Sequence, residues 1–173
     1  DGFDTEIAST NIRRLCDAAK IKLMVVKPDA VQFNDLTRAF ILSGVPNIAI
    51  PQDNILFACL HKEAKKYNVR NFLSGGNFAL ECILEDGNTH DAFDMANIKD
   101  IHNKFGTQPI DKLPMMSLFQ KGIIDRYIYK VKSFRPLNYI DYNRARAIEE
   151  LHAFCKFNYY GGKHLENTLT IFT

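Results

Sequence analysis

The stretch from Val69 to Glu81 constrains the fold most, because it has the pattern of a strand, a glycine turn and a helix. An apolar run ends at Leu73, Ser74-Gly75-Gly76-Asn77 interrupts it, and helix-forming residues follow. Adjacent glycines let the backbone turn sharply and approach a ligand closely, and the first N–H groups of a following helix favour an anion. Asn77 is placed to cap that helix, and Glu81 to hold a metal ion or a polar ligand group. The pattern is as typical of a tight connection without a ligand, so both interpretations stay open.

Short apolar runs alternate with amphipathic segments in the first half of the chain. Residues 21–26 (IKLMVV) are predicted as a strand, and helices are predicted over residues 5–19, 32–42 and 51–67. This alternation predicts an α/β fold, a Rossmann-like parallel sheet with helices on both faces. Ligands bind such sheets at the carboxyl ends of the strands, where Pro28-Asp29 and Ser74–Asn77 fall. Asp53 lies in the first turn of its helix, where the helix dipole favours an acidic side chain. Its presence is therefore explained either by this structural preference or by contact with a ligand.

The alternation of short strands and helices ends in a polar loop after residue 85, and mostly helical segments follow. We therefore expect an α/β core over residues 1–85 and a mostly helical part over 86–173, packed as one domain. Helices are predicted over residues 94–105 and 142–154, the latter capped by Asp141. The apolar segment Met115–Val131 is typical of a core or a subunit interface, so a homodimer remains open.

A second glycine turn, Gly161-Gly162, precedes Lys163, His164 and Glu166. One interpretation is a loop with solvated charges. The other is a phosphate or sugar clamp, in which the glycines admit the ligand while Lys163 and His164 supply positive or donor groups.

The overall composition excludes some classes of protein. A net charge of +2 gives no electrostatic reason to expect a nucleic-acid partner. No apolar run approaches the roughly 18 residues of a membrane span, and no signal peptide opens the chain. The four cysteines are widely spaced among apolar neighbours, which is typical of reduced thiols. We therefore expect a cytoplasmic protein that binds neither nucleic acid nor membrane.

Six short motifs occur in order along nearly the whole chain. They are Val45-Pro46-Asn47, Ile50-Pro51-Gln52-Asp53, Leu73-Ser74-Gly75-Gly76-Asn77, Ile98-Lys99-Asp100-Ile101-His102, Arg135-Pro136-Leu137-Asn138-Tyr139-Ile140-Asp141-Tyr142 and Tyr159-Tyr160-Gly161-Gly162-Lys163-His164. Together this series resembles the N-acetyl sugar amidotransferases, enzymes of bacterial surface-polysaccharide (O-antigen and lipopolysaccharide) biosynthesis in the ATP-pyrophosphatase, or PP-loop, superfamily. The resemblance implies a fold like that of the adenine nucleotide alpha hydrolases.

The resemblance also implies a chemistry. ATP, with Mg²⁺, activates the oxygen of an N-acetyl group as an adenylate, and ammonia then displaces AMP to leave an acetamidino sugar. The ammonia is expected from a separate glutaminase subunit. Because an amide is a poor nucleophile, such a site needs positioning and charge neutralisation more than acid–base chemistry.

The resemblance assigns roles to residues of this chain. Asn77 and Glu81 are expected to be catalytic, and Glu81 is also expected to bind the metal ion. The expected ATP contacts are Ser74, Gly75, Gly76 and Asp53, and the expected sugar-side contacts are Arg135, Gly161, Gly162, Lys163, His164 and Glu166.

One departure from the family limits these expectations. The SGGxDS loop that defines its ATP site is absent, and Ser74–Asn77 resembles a later turn, after the fourth strand. The family's amino-terminal cysteine cluster is also missing. We therefore expect a middle piece that begins after the second strand and is inactive alone. Two alternatives are another PP-loop enzyme, of the tRNA-thiolation or NAD-synthase type, and a non-catalytic binding or assembly domain.

Overall fold

The computed structural model describes residues 2–77, 90–162 and 165–169. The chain divides into two units: a central unit, Lys27–Ile140, and a terminal unit, formed by Asp1–Val26 with Asp141–Thr173. The predicted boundary after residue 85 lies outside the described residues. Within the described part, no helix has both the length and the apolar character needed to cross a membrane.

Helix α1 (Glu6–Ala18) belongs to the terminal unit. The described residues of the central unit form three α-helices, α2 (Ala30–Ser43), α3 (Ile50–Lys66) and α4 (Met95–Phe105). Helix α2 packs against both α3 and α4. All three central helices match the predicted ones to within a few residues, so these predictions are confirmed.

Local chemistry fixes the ends of these helices. The carboxylate of Asp29 accepts from the N–H of Gln32 at 3.0 Å and caps α2, and that helix ends at Gly44, whose φ of 69° suits glycine. Helix α3 has Pro51 in its first turn, where the missing N–H costs nothing. Asp94 caps α4 through the N–H groups of its first turn.

The core of the central unit is apolar, and each fully buried side chain contributes about 1.5–3 kcal/mol. Its most buried apolar side chains are Phe33, Leu36, Phe40, Ile50, Ile98 and Met116. Three large apolar side chains of α2 and α3, those of Ile41, Leu56 and Leu60, are exposed. The reason for α3 is that its buried face runs through Ala58 and includes the polar Asn54.

Asp35 ties α2 to the loop after α4. Its carboxylate accepts from the Thr107 hydroxyl at 2.6 Å and from the N–H groups of Thr107 and Gln108 at 2.8 and 2.9 Å. Burial alone would raise the pKa of Asp35, but these hydrogen bonds, with Arg38 nearby, hold that pKa below its ordinary value. The side chain therefore stabilises the folded state most when it is ionised.

A two-stranded parallel sheet joins β1 (Asn71–Leu73) to β2 (Lys132–Phe134), with Phe72 opposite Ser133. The strand before the glycine turn is confirmed, and β2 was not predicted. The fold of the described residues is thus mixed helix with a small parallel sheet. The larger Rossmann-like sheet stays a prediction.

The predicted strand over residues 21–26 is wrong. This segment has neither helix nor strand, and its apolar side chains are exposed, with Val25 at 68%. A strand requires hydrogen-bonding partners along its backbone, and no described residue pairs with this one.

A π-helix spans Gln120–Ile128, within the long segment predicted as core or interface. Its residues Tyr127 and Ile128, and Phe119 just before it, are each more than 60% accessible. Its buried residue is the charged Asp125, which is 1% exposed.

In the terminal unit, α1 packs against α5 (Arg144–Cys155). Asn11 of α1 donates to the C=O of Asn158 at 2.7 Å and accepts from its N–H at 2.9 Å. The cap of α5 is Asn143, not the predicted Asp141, because the Asn143 side chain accepts from the N–H of Arg146.

Candidate functional site

The two loops that follow β1 and β2 meet at the same edge of the sheet, since the strands are parallel. The N–H of Ser74 donates to the C=O of Phe134 at 2.9 Å. The side-chain amide of Asn77 donates to the C=O of Leu137 at 3.0 Å. Arg135, predicted on the sugar side, therefore lies beside the glycine turn predicted to contact ATP. This edge, Ser74–Asn77 with Arg135, is the candidate site.

The glycine turn is held by its own serine. The Ser74 hydroxyl accepts from the N–H of Gly76 at 3.2 Å, a local turn that leaves Gly75 exposed. Gly75 does not have a positive φ, and a Cβ built on it meets no described atom within 4 Å. Nothing in the described fold thus requires glycine at this position.

Asp53, the other predicted ATP contact, lies in the first turn of α3. Burial raises the pKa of its carboxyl group. Among the described residues, no side chain forms an ion pair with it. The Asp53 carboxyl group is therefore partly shielded from water, and its oxygens can accept further hydrogen bonds.

A magnesium site is not formed by the described residues alone. They include no group of three or more His, Cys, Asp or Glu side chains that could hold a metal ion. Glu81, the predicted metal and catalytic residue, lies outside the described residues, as does the helix that Asn77 was expected to cap.

The second glycine turn belongs to the terminal unit, and both glycines have a local structural explanation. Gly161 has φ of 98°, which disfavours other residues, and a Cβ on Gly162 would lie 3.0 Å from a methyl of Leu165. The backbone C=O of Glu166 accepts from the N–H of Thr5 at 2.9 Å, while Lys163 and His164 lie outside the described residues. The sugar-side contacts expected of Gly161, Gly162 and Glu166 stay predictions.

Sequence reasoning missed a polar face of α3 that carries Asn54, His61 and Lys65. Asn54 is fully buried and bonds to the backbone of Ala92 and Met116. The other two side chains both contact Asp125 of the π-helix. The spacing of seven and then four residues places all three on one helical face, and this was the available indication in the sequence.

A small cleft of about 80 Å³ lies at the opposite end of the sheet, before the strands begin, and Lys65, Asn68, Arg70 and Tyr129 are among its lining residues. Small-molecule sites usually have volumes of about 300–1,000 Å³, so this cleft is too small for a nucleotide.

No protein-family model, no curated protein and no solved structure matches the chain.

Proposed function

We propose that the protein is an ATP-dependent amidotransferase, or a part of one, that converts the N-acetyl group of a nucleotide-linked sugar to an acetamidino group in bacterial surface-polysaccharide biosynthesis. The observation that supports this best is the meeting of Ser74–Asn77 and Arg135 at the carboxyl edge of two parallel strands. This is the edge at which open α/β sheets bind their ligands.

In this proposal, each group at the edge has a task set by its chemistry. The exposed backbone at Gly75 lets a phosphate approach closely. Arg135 is exposed and forms no ion pair with a described residue, so its guanidinium can bind a phosphate oxygen pair and neutralise its charge. Asp53 offers an acceptor for the nucleotide or its cation, and Asn77 and Glu81 hold the reacting groups.

The remaining parts of the proposal concern partners. A separate glutaminase supplies ammonia, and Gly161, Gly162, Lys163, His164 and Glu166 contact the sugar or its phosphates. Because nothing in the described site identifies the acceptor sugar, a panel of nucleotide-linked N-acetyl amino sugars is the appropriate set of substrates.

The experiment uses the natural chain at full length with ATP, Mg²⁺, ammonium and this panel. We expect pyrophosphate release together with an acetamidino product identified by mass spectrometry, and loss of both in Asn77→Ala and Glu81→Ala. Asn34→Ala and Glu149→Ala replace exposed residues of the same types on α2 and α5 and should retain activity. The 173-residue piece alone is expected to be inactive.

The results separate the alternatives. An active Asn77→Ala, Glu81→Ala double variant would refute the site assignment. ATP binding without pyrophosphate release with any sugar would favour a non-catalytic binding or assembly domain. Pyrophosphate release stimulated by tRNA or by deamido-NAD, and not by a sugar, would favour the other PP-loop enzymes.

A further inference from the structure

A buried histidine–carboxylate pair lies behind β1. The His61 Nδ1 atom is 2.6 Å from Oδ2 of Asp125, whose side chain is 2% exposed. The ammonium group of Lys65 lies 2.7 Å from Oδ1 of the same carboxylate. A buried carboxylate is costly unless it is paired, and here the two cationic or donor groups come from one face of α3.

The pair fixes which nitrogen of neutral His61 holds the proton. An ionised carboxylate only accepts hydrogen bonds, so Nδ1 carries the proton and Nε2 carries the free lone pair. The His61 side chain retains 13% exposure, and no described residue hydrogen-bonds to Nε2. Among the described residues, Nε2 therefore has no hydrogen-bond partner, and its lone pair can accept a proton.

His61 lies close to the candidate site. Its ring stacks on that of Phe72 in β1, with centroids 5.4 Å apart and planes 18° apart. Phe72 precedes Ser74 by two residues, a separation of about 7 Å along an extended chain. Asn54 and Asp53 lie further along α3, toward its amino end. The histidine thus packs against the strand that leads into the turn proposed to receive the phosphates.

We propose that His61 is the general base of the adenylation step and that Asp125 is its positioning residue; this inference rests on the proposed function. The amide oxygen of the N-acetyl group attacks the α-phosphorus of ATP, an O–P bond forms, and the bond from that phosphorus to pyrophosphate breaks. The amide N–H proton passes to Nε2 of His61, and its electron pair becomes the C=N bond of a neutral O-adenylyl imidate. Removing this proton makes a poor nucleophile a better one.

The same histidine balances the second step. Ammonia forms a C–N bond at the imidate carbon, the C–O bond to AMP breaks, and the imidazolium returns its proton to the sugar nitrogen. Of the four hydrogens from ammonia and His61, three stay on the amidinium product and one leaves on the phosphate of AMP. His61 ends neutral, as it began.

The test compares variants of the natural chain at full length, with the substrate panel and ammonium. We expect His61→Ala to lower kcat about 100-fold with KM for ATP little changed, and added imidazole to restore part of the rate. Asp125→Asn places an amide donor against Nδ1 and so moves the proton to Nε2, and this variant should also lower kcat by about 100-fold or more. His90→Ala is the matched control, since His90 lies 3.1 Å from Asp94 in an exposed His–Asp pair, and should retain full activity.

A second measurement does not depend on activity. Nitrogen-15 NMR should show the Nδ1–H tautomer of His61 in the wild type and the Nε2–H tautomer in Asp125→Asn. If His61→Ala does not fold, His61→Gln keeps a donor for Asp125, lacks the base, and should show the same loss.

The outcomes distinguish this inference from the proposed function. If the wild type makes no acetamidino product, the proposed function fails and this inference fails with it. If the wild type is active and the folded His61 variant keeps activity within about threefold, only the role of His61 is overturned. The Nε2–H tautomer in the wild type, or a loss that imidazole does not rescue, would also overturn it.

Discussion

Replacing Asn54 by alanine should destabilise the protein strongly. Its side-chain amide donates to the C=O groups of Ala92 and Met116, both at 2.8 Å, and its oxygen accepts from the N–H of Met116 at 3.0 Å. Alanine leaves the buried C=O and N–H groups of Met116 and the part-buried C=O of Ala92 without that partner, and each such group costs about 1–3 kcal/mol. Because water and small movements satisfy part of the loss, we take the lower bound for each group and expect the free energy of unfolding to fall by about 3 kcal/mol.

Urea unfolding followed by far-UV circular dichroism measures this change, since the chain has no tryptophan for fluorescence. Asn34→Ala, at an exposed position of α2, is the control and should change the free energy of unfolding by less than about 0.5 kcal/mol. A loss below about 1 kcal/mol for Asn54→Ala, with an unchanged denaturant dependence, would refute the argument that these three bonds hold α3 in place.

Three further predictions follow from the described geometry. The pKa of Asp35 is lowered in the folded state, so its stabilisation is present above the ordinary carboxyl pKa of about 4 and is lost as pH falls through the folded pKa. Asp35→Asn should therefore be less stable than the wild type at neutral pH and lose less stability on acidification. Equal pH profiles of the unfolding midpoint in the two proteins would contradict this. Gly44→Ala should cost about 1 kcal/mol because φ is 69°, whereas Gly122→Ala, with open space around it, should cost less than about 0.5 kcal/mol; equal thermal midpoints would contradict this contrast. Gly75→Val should weaken ATP binding by calorimetry at least about tenfold without lowering stability, since no described atom lies within 4 Å of a Cβ at this position and the added methyl groups would meet the proposed phosphates; an unchanged affinity would contradict close approach of a phosphate to Gly75.

Local patterns predicted the helices well because their ends depend on nearby residues. Thr5 caps α1, Asp94 caps α4 and Gly44 ends α2, each through bonds within four residues. The strand over residues 21–26 failed because a strand is completed by distant residues. Its apolar composition fitted a strand, but no described residue pairs with it.

The candidate site was predictable only in part, for the same reason. The glycine turn is visible as a motif, but its contact with the loop after β2 depends on a parallel pairing between residues far apart in the chain. The pairing of His61 with Asp125 joins residues 64 positions apart, and Asp125 lay in a segment whose composition indicated only core or interface. Buried polar pairs of this kind interrupt the apolar periodicity on which sequence patterns rely.

The most direct test of the central claim is amide NMR of the natural full-length chain during titration with ATP. The account predicts that the largest shifts among the described residues occur at Ser74–Asn77 and Arg135, the two loops joined at the sheet edge. Shifts that cluster elsewhere, with these five residues unmoved at saturation, would contradict it.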